Sequence, residues 1–193
     1  ITKFFWGSKR VVKSYVERMK AKSKPPSRKP LSKILWSGVG AFLGIYFVAI
    51  FGYYFAIEET FFLLGSFGAS AVLIYGAPQA DFSQPRNIIG GHMLSAFVAV
   101  FLMKFFSPLF SIELLCALSV SLSIMVMHFS RTMHPPGGAT ALIYIMGNEH
   151  IHSLGWLYPF TPIGLGAVIM LFVALLVNNL SSNSQRHYPT YWW

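Results

Sequence analysis

The sequence has 193 residues, of which 54% are hydrophobic and only 11% are charged. Soluble domains carry roughly a quarter charged residues, so this composition is too poor in charge to cover a globular surface. Eleven of the 15 lysines and arginines lie in residues 1–33, and the net charge of +9 therefore belongs to an N-terminal arm. The rest of the chain is slightly acidic, which argues against a nucleic-acid-binding protein.

The arm, residues 1–33, combines aromatic and aliphatic side chains with lysine and arginine. This pattern is typical of an amphipathic segment on an anionic membrane surface. Its end, Lys24-Pro-Pro-Ser-Arg-Lys-Pro30, is a basic linker in which the prolines prevent a continuous helix. The chain begins with Ile1 rather than methionine, which agrees either with truncation or with removal of a targeting peptide.

Six apolar segments follow, four long and two short, before a polar and aromatic tail at residues 181–193. The first has 24 residues without a charge, and a helix needs about 20 to cross the apolar core of a bilayer. The fifth has 12 residues and would be only about 18 Å long as a helix. The sequence therefore predicts an all-α polytopic membrane domain over residues 34–180, with four long transmembrane helices, two short Gly-rich helical segments and four to six crossings. The predicted segments are Ile34–Ile57, Phe61–Ala77, Ile88–Phe106, Leu109–Phe129, Pro135–Met146 and Ile163–Val177.

The number of crossings decides on which side the charges fall. Basic residues prefer the cytoplasmic side or its organellar equivalent, which predicts that the arm lies inside. Six crossings would also place Arg86, Arg131 and Arg186 inside, whereas four crossings suit the two short segments better. Both numbers are even, so both termini are expected on the same side.

A repeat divides the apolar region into two halves. Gly68-Ala-Ser-Ala-Val-Leu-Ile-Tyr75 resembles Gly138-Ala-Thr-Ala-Leu-Ile-Tyr144, and each copy lies in the short middle segment of a long–short–long trio. Small residues in apolar helices often mark close helix packing, and transporters are often built from duplicated halves. The sequence thus predicts a two-fold internal repeat, inverted with three crossings per half and parallel with two.

The segment Ser130-Arg-Thr-Met-His-Pro-Pro-Gly-Gly-Ala-Thr-Ala-Leu142 carries the most chemistry. Pro135 and Pro136 suit the start of a helix, and the glycines after them allow close approach of the backbone. A helix N-terminus bears partial positive charge and free N–H groups, and Arg131 and His134 precede this one. The segment therefore predicts an anion site at the start of a half-helix, a recurring device of transporters.

This segment resembles the signature of the HPP family of integral membrane proteins, His134-Pro-Pro-Gly-Gly-Ala-Thr140 preceded by Arg131-Thr132. Phe67-Gly-Ala-Ser-Ala71 and Gln84-Pro-Arg-Asn-Ile-Ile-Gly-Gly-His92 resemble other blocks of that family, and the likeness covers most of residues 30–180. The resemblance implies a four-spanning protein. It also implies anion transport, because some plastid and cyanobacterial members are associated with nitrite.

Local chemistry and the resemblance together select candidate residues from both halves. Arg86 and Arg131 border apolar segments, where an arginine either anchors lipid headgroups or binds an anion. His92 lies inside an apolar segment, where an ionisable group usually has a function, and protonation of His92 or His134 would couple transport to protons. The predicted substrate-binding residues are Gly68, Ser70, Arg86, Asn87, His92, Arg131, His134, Gly137, Gly138 and Thr140, with Pro135 and Pro136 as a structural motif.

The sequence thus predicts a transporter or channel for a small monovalent anion, with nitrite implied by the resemblance. The alternative is an accessory subunit of a larger membrane complex, in which the arm and the aromatic tail bind partners. We expect no enzyme and no cofactor, and Glu149-His-Ile-His152 is too weak a pattern to assign a metal. Few segments are available to enclose a pathway, which predicts a homo-oligomer or other membrane subunits. The inner membrane of a mitochondrion or chloroplast is the expected location.

Overall fold

The computed structural model shows helices as the regular structure of the chain, and no strand occurs in the part that it describes. The described residues are 14–20, 23–54 and 60–193, without the side chains of 60–64. The chain divides into two compact units, Ile1–Pro30 and Leu31–Trp193.

The first unit contains a short helix over residues 14–18. Glu17 and Lys20 form an exposed ion pair there, with 2.7 Å between the ammonium nitrogen and the carboxylate. An exposed pair of this kind contributes little to stability. The amphipathic pattern predicted for the start of the arm falls mainly on residues 1–13, which lie outside the described residues.

The second unit is a bundle of helices. Short 3₁₀ turns at Asp81–Ser83, Gly155–Leu157 and Ser184–Arg186 and a wide turn at Pro159–Gly164 connect or extend its helices. The helices are α1 (Leu31–Tyr54), α2 (Thr60–Gly76), α3 (Pro85–Phe106), α4 (Ile112–Phe129), α5 (Pro136–Ile145), α6 (Glu149–Ser153) and α7 (Leu165–Leu180).

Four stretches of the described chain are long and apolar enough to cross a membrane: α1, α3, α4 and Gly155–Leu180, which ends in α7. The last stretch is interrupted at Thr161, whose backbone is extended. Helices α2 and α5 are apolar but have only 17 and 10 residues. The predicted all-α polytopic architecture, with four long helices and two short ones, is confirmed.

The two halves of the repeat pack crosswise. The first trio is α1, α2 and α3, and the second is α4, α5 and α7. Helix α3 packs against α4 and α5 of the other half, and α7 packs in the same way against α1 and α2. The short helices α2 and α5 also contact each other. Side chains from both halves therefore meet where the short helices touch, as expected for a site shared by a duplicated fold.

Small residues bring α1 close to α2. A Cβ atom added at Gly40 would lie 2.6 Å from Cδ1 of Tyr75, so the Tyr75 ring occupies the space that a larger residue would need. The hydroxyl of Tyr75 donates a hydrogen bond to the carbonyl of Met170 on α7, at 3.0 Å. Without a hydrophobic force between helices in lipid, such close contacts and polar links hold the bundle together.

The C-terminal tail packs onto the same bundle. Arg186 is fully buried near the carboxyl ends of α2 and α7, where it donates to the Tyr75 carbonyl at 3.0 Å and to Asn178 Oδ1 at 2.7 Å. The negative ends of helix dipoles favour a cation at this position. The hydroxyl of Tyr188 donates to the carbonyl of Ser83 at 2.7 Å, which brings the end of the chain to the start of α3.

Candidate functional site

Two histidines meet at one serine in the interior of the bundle. The Nε2 atom of His92 on α3 lies 2.7 Å from Oγ of Ser70 on α2, and Nε2 of His134 lies 2.8 Å from the same oxygen. The two ring centroids are 4.8 Å apart in an edge-on arrangement. All three side chains have no exposed surface. We call this group the His–Ser–His cluster.

The outer nitrogens of the two rings are also bonded. Nδ1 of His92 lies 2.7 Å from Oγ1 of Thr140 on α5, and Nδ1 of His134 lies 2.6 Å from the carbonyl oxygen of Phe82. The carbonyl of Thr140 accepts a hydrogen bond from the hydroxyl of Tyr158 at 2.9 Å. Four predicted site residues are thus joined in one buried hydrogen-bond network, which fixes both ring orientations.

Close approach of α3 to the start of α5 positions the two histidines. A Cβ atom at Gly137 would lie 2.7 Å from the Gly91 carbonyl oxygen and 2.7 Å from Ser95 Oγ. A Cβ atom at Gly91 would collide with Cβ of His134. Glycine is therefore required on both sides of this contact, which agrees with the expected close backbone approach.

The other two predicted glycines have no such contact. A Cβ atom at Gly138 would meet only Val120, at 3.7 Å, and a Cβ atom at Gly68 would meet nothing within 4 Å. These two residues occupy equivalent places in the two copies of the repeat. An alanine at Gly68 or Gly138 would therefore not collide with any neighbour in the described part of the chain.

The start of α5 has its donors in use. The N–H of Gly137 donates to the carbonyl of His134 at 2.9 Å, and the N–H of Gly138 donates to the carbonyl of Pro135 at 3.1 Å. Pro136, the first residue of the helix, has no N–H group. The backbone donors expected to hold an anion are therefore engaged within the turn that begins the helix.

A pocket of about 570 Å³ opens beside the cluster and contains the predicted arginines. Met133 and Pro135, the neighbours of His134 in sequence, form part of its wall, as does Phe82, whose carbonyl accepts from His134. His134 of the cluster is thus connected to the pocket through its sequence neighbours and through Phe82. The polar side chains of the lining are Asp81, Arg86, Asn87, His128, Arg131 and Tyr191.

The two arginines of the pocket differ in setting. Arg86, in the first turn of α3, is partly buried, its Nε has no hydrogen-bond partner, and its guanidinium lies 5.6 Å from the centre of the Tyr191 ring. Arg131 is exposed and has a φ of 57°, in the left-handed region that a non-glycine residue rarely adopts. Within the described residues, the one ion pair is Lys20–Glu17, so neither guanidinium is paired with a carboxylate.

Tyr191 connects the tail to the pocket. Its hydroxyl donates to Oδ1 of Asn87 at 3.2 Å, and the amide of Asn87 in turn donates to the carbonyl of Met133 at 2.9 Å. Asn87, a predicted site residue, thus ties α3 to the segment before α5. Asp81, His128 and Tyr191 are not among the site residues predicted from the sequence. His128 is near Arg131 in sequence, which was an available signal, whereas nothing local predicts that Tyr191 returns to α3.

Comparison with known proteins agrees with this architecture. The profile of the HPP transmembrane region matches residues 26–189 of the chain. The chain belongs to the HPP family. Two transmembrane proteins of Dictyostelium discoideum are similar to it, one 45% identical over 181 residues and the other 46% identical over 174 residues. These alignments cover 93% and 89% of this HPP protein but 57% and 60% of the relatives, so the chain spans about three fifths of their length. No solved structure matches it.

Proposed function

We propose that this HPP protein is a transporter or channel for a small monovalent anion, with nitrite as the first candidate. The observation that carries the proposal is that Arg86 of the first half and Arg131 of the second half line one pocket, and that neither guanidinium is paired with a carboxylate of the described residues. A guanidinium presents N–H donors in a planar fork that suits a flat oxyanion. Nitrite and nitrate are flat and carry a single charge.

The unpaired Nε of Arg86 supports an anionic occupant. A buried donor without a partner costs roughly 1–3 kcal/mol, and a hydrogen bond to a bound oxyanion would remove that cost. The left-handed backbone of Arg131 supports the same proposal, because strained residues in proteins tend to gather at functional sites. Asp81 is the one acidic side chain among the lining residues, so the pocket favours anions by charge.

The proposal places the anion between the arginines rather than on the N–H groups at the start of α5. The donors of Gly137 and Gly138 are engaged, whereas the guanidinium donors have no acidic partner in the part of the chain that the structure describes. The pocket lies at the junction of the halves, since Arg86 is in the first turn of α3 and Arg131 follows α4. Transporters built from repeats commonly bind their substrate at such a junction.

We also propose that the protein lies in an organellar inner membrane with both termini on the same side. A second copy of the chain or a partner subunit would complete the transport pathway. Four candidate spans, an even number, support the common side for the termini. Protection of the two termini from added protease in intact organelles tests this arrangement. Cleavage of one terminus alone would contradict it.

The accessory-subunit alternative rested partly on the aromatic tail, which the sequence left free to bind partners. In the structure, Arg186, Tyr188 and Tyr191 of the tail are bound to the chain's own helices. These tail residues therefore bind within the protein rather than to a partner, which weakens the case for an accessory subunit. A folded protein that co-purifies with a stable complex and conducts no anion would favour the alternative.

The test is anion flux in proteoliposomes, measured separately for nitrite, nitrate and chloride. We expect nitrite and nitrate flux above the protein-free background, and its loss in the double variant Arg86→Ala/Arg131→Ala. Lys104→Ala is the matched control, because it removes one positive charge from the last turn of α3, away from the pocket. Flux that is equal in the wild type and the double arginine variant would overturn the proposal.

A further inference from the structure

The hydrogens of the His–Ser–His cluster can be assigned from its partners. The Phe82 carbonyl can only accept, so Nδ1 of His134 carries a hydrogen, and Nε2 of a neutral His134 must accept. The hydroxyl of Ser70 is the donor within reach of that Nε2. Because Ser70 has a single hydrogen, Nε2 of His92 must then donate to Ser70.

The direction of the bond between His92 and Thr140 follows in the same way. With its hydrogen on Nε2, a neutral His92 accepts at Nδ1, and the hydroxyl of Thr140 donates to it. All four bonds then point in one direction, from Thr140 through His92, Ser70 and His134 to the Phe82 carbonyl. Such an unbroken, one-way chain of short hydrogen bonds is the arrangement that conducts a proton.

The cluster also has the acceptors needed to hold one extra proton. The hydroxyl of Ser70 lies 3.2 Å from the Ser66 carbonyl, and that of Thr140 lies 3.4 Å from the Pro136 carbonyl. When His92 gains a proton on Nδ1, Thr140 can accept from it and turn its own hydrogen to Pro136. When His134 gains a proton on Nε2, Ser70 can do the same towards Ser66. Each protonated state therefore leaves every N–H and O–H with an acceptor.

We propose that Ser70 relays a proton between His92 and His134, and that this proton is the co-substrate of the anion transport proposed above, on which the inference rests. In the relay step, Nε2–H of His92 gives its proton to Ser70 Oγ, and Ser70 releases its own hydrogen to Nε2 of His134. One N–H bond and one O–H bond break, one N–H bond and one O–H bond form, and no electron is transferred. The hydroxyl is restored, and the positive charge has moved from α3 to the start of α5.

The pocket supplies the link between proton and anion. Met133 and Pro135 flank His134 in sequence and line the pocket, and Phe82 both lines it and accepts from the His134 ring. A bound anion therefore favours the charged form of His134, whose neighbours line the pocket, over that of His92, because opposite charges attract each other more strongly at shorter distance. Release of the anion favours return of the proton towards His92.

No carboxylate of the described chain is hydrogen-bonded to either imidazole, so none offsets the charge of the extra proton. The elements packed around the cluster bring a limited set of charged or titratable groups. Helices α3 and α4, the loops next to them and the tail contribute the pocket groups. Two further phenols come from Tyr144 on α5 and from Tyr158, which precedes the wide turn at Pro159–Gly164. These groups are Asp81, Arg86, His128, Arg131, Tyr144, Tyr158 and Tyr191, while Lys104 and Glu113 lie at the far ends of α3 and α4.

The test measures proton movement and anion flux together. Proteoliposomes contain a pH-sensitive dye, and a nitrate gradient is applied; nitrate is preferred because nitrous acid crosses bilayers unaided. The variants are Ser70→Ala, which removes the relay atom, and Ser70→Thr, which restores a hydroxyl. Ser95→Ala is the matched control. Ser95 lies on α3 and is as fully buried as Ser70, but its hydroxyl has no hydrogen-bond partner.

We expect about one proton to move with each anion in the wild type and in Ser95→Ala. In Ser70→Ala, proton movement should fall roughly ten- to hundredfold, the equivalent of losing one buried hydrogen-bond partner, and Ser70→Thr should recover part of it. Anion flux without proton movement in the wild type would overturn the relay and leave the anion transporter standing. Absence of any anion flux would overturn the transporter, and with it the role of the proton as co-substrate.

Nitrogen NMR of histidine-labelled protein tests the relay without any transport assay. The two imidazoles of the cluster are expected to differ at neutral pH. The ring of His92 should carry its hydrogen on Nε2, and the ring of His134 should carry its hydrogen on Nδ1. Acidification should add a single proton that both rings share, and Ser70→Ala should abolish the sharing. Two rings that titrate independently in the wild type, or not at all, would overturn the relay even if anion flux were present.

Discussion

Ser70 and Thr140, which hold equivalent positions in the two copies of the repeat, bind opposite nitrogens of the same ring, that of His92. The Oγ of Ser70 lies 2.7 Å from Nε2, and the Oγ1 of Thr140 lies 2.7 Å from Nδ1. The repeat is therefore visible in the site as well as in the packing of the helices. One histidine on α3 is fixed by a hydroxyl from each short helix, so the network is complete only when the two halves are correctly docked.

Neighbouring glycines at the start of α5 should respond oppositely to the same change. Gly137→Ala would place a methyl group 2.7 Å from the backbone oxygen of Gly91 and should destabilise the fold by about 1–3 kcal/mol. Gly138→Ala would make only an ordinary contact at 3.7 Å with Val120. It should be neutral or stabilise by up to about 1 kcal/mol, because alanine favours helix. Thermal unfolding of both variants in detergent measures the difference, and equal midpoints would contradict the packing described here.

Arg131 allows function and stability to be separated. Arg131→Gly removes the side chain but also relieves a left-handed backbone that costs a non-glycine residue about 1 kcal/mol. Glycine loses more chain entropy on folding, so the net change in stability should be close to zero. We expect nitrate flux to fall as far as in Arg131→Ala, which has the same loss of charge, while the unfolding midpoint of Arg131→Gly is the higher of the two. Normal flux in either variant would remove Arg131 from the site.

Tyr191 should affect the affinity of the pocket rather than the stability of the membrane domain. Its ring lies over the Arg86 guanidinium, a contact worth about 0.5–1 kcal/mol at a partly exposed site. Tyr191→Ala should therefore raise the KM for nitrate roughly two- to fivefold through a less fixed Arg86. Trp193→Ala is the control, because Trp193 is 78% exposed. A KM that rises equally in both variants would indicate a general role of the tail, not a specific one of Tyr191.

Arg186 should be the residue of the tail on which the fold depends most. Besides Tyr75 and Asn178, it donates to Ser37 Oγ at 3.1 Å, and so it joins α1, α2 and α7. Burial lowers the pKa of this guanidinium, yet arginine remains charged at neutral pH. Arg186→Met leaves several buried acceptors unpaired and should cost at least about 2 kcal/mol of stability.

Thermal unfolding in detergent measures this effect, with Gln185→Met as the control because Gln185 is exposed. Arg186→Lys should restore little, since one ammonium group cannot reach acceptors on three helices at once. An unfolding midpoint for Arg186→Met equal to that of Gln185→Met would show that the hydrogen bonds of Arg186 contribute nothing to the stability of the bundle.

Much of the fold could be predicted because the bilayer restricts a chain to few structures. Long apolar segments with few charges became α1, α3, α4 and the stretch ending in α7. The ends predicted for Ile88–Phe106 and Leu109–Phe129 agree with the ends of α3 and α4 at Phe106 and Phe129. The predicted first residues of these helices were less accurate. Helix α3 begins at Pro85, because proline is well suited to a first turn. The predicted end of the first segment, Ile57, lies outside the described residues.

The site could be predicted as a set of residues but not as an arrangement. Ser70, His92, His134 and Thr140 were selected together, yet only the docking of α2 against α5 shows that Ser70 joins the two rings. The sequence predicted an anion site on free backbone N–H groups. In the structure a tight turn uses those N–H groups for its own hydrogen bonds. Tyr191 was missed because its contact with Asn87 spans more than a hundred positions, and local sequence patterns carry no information about such contacts.

The central claim, that Arg86 and Arg131 bind the same anion, is tested most directly by a double-mutant cycle on nitrate flux in proteoliposomes. The cycle compares the wild type, Arg86→Ala, Arg131→Ala and the double variant. If both guanidiniums bind one anion, each single change should lower flux, and the double change should lower it less than the product of the two, since neighbouring sites are not additive. Undiminished flux in the double variant, or single effects that multiply independently, would contradict a shared site.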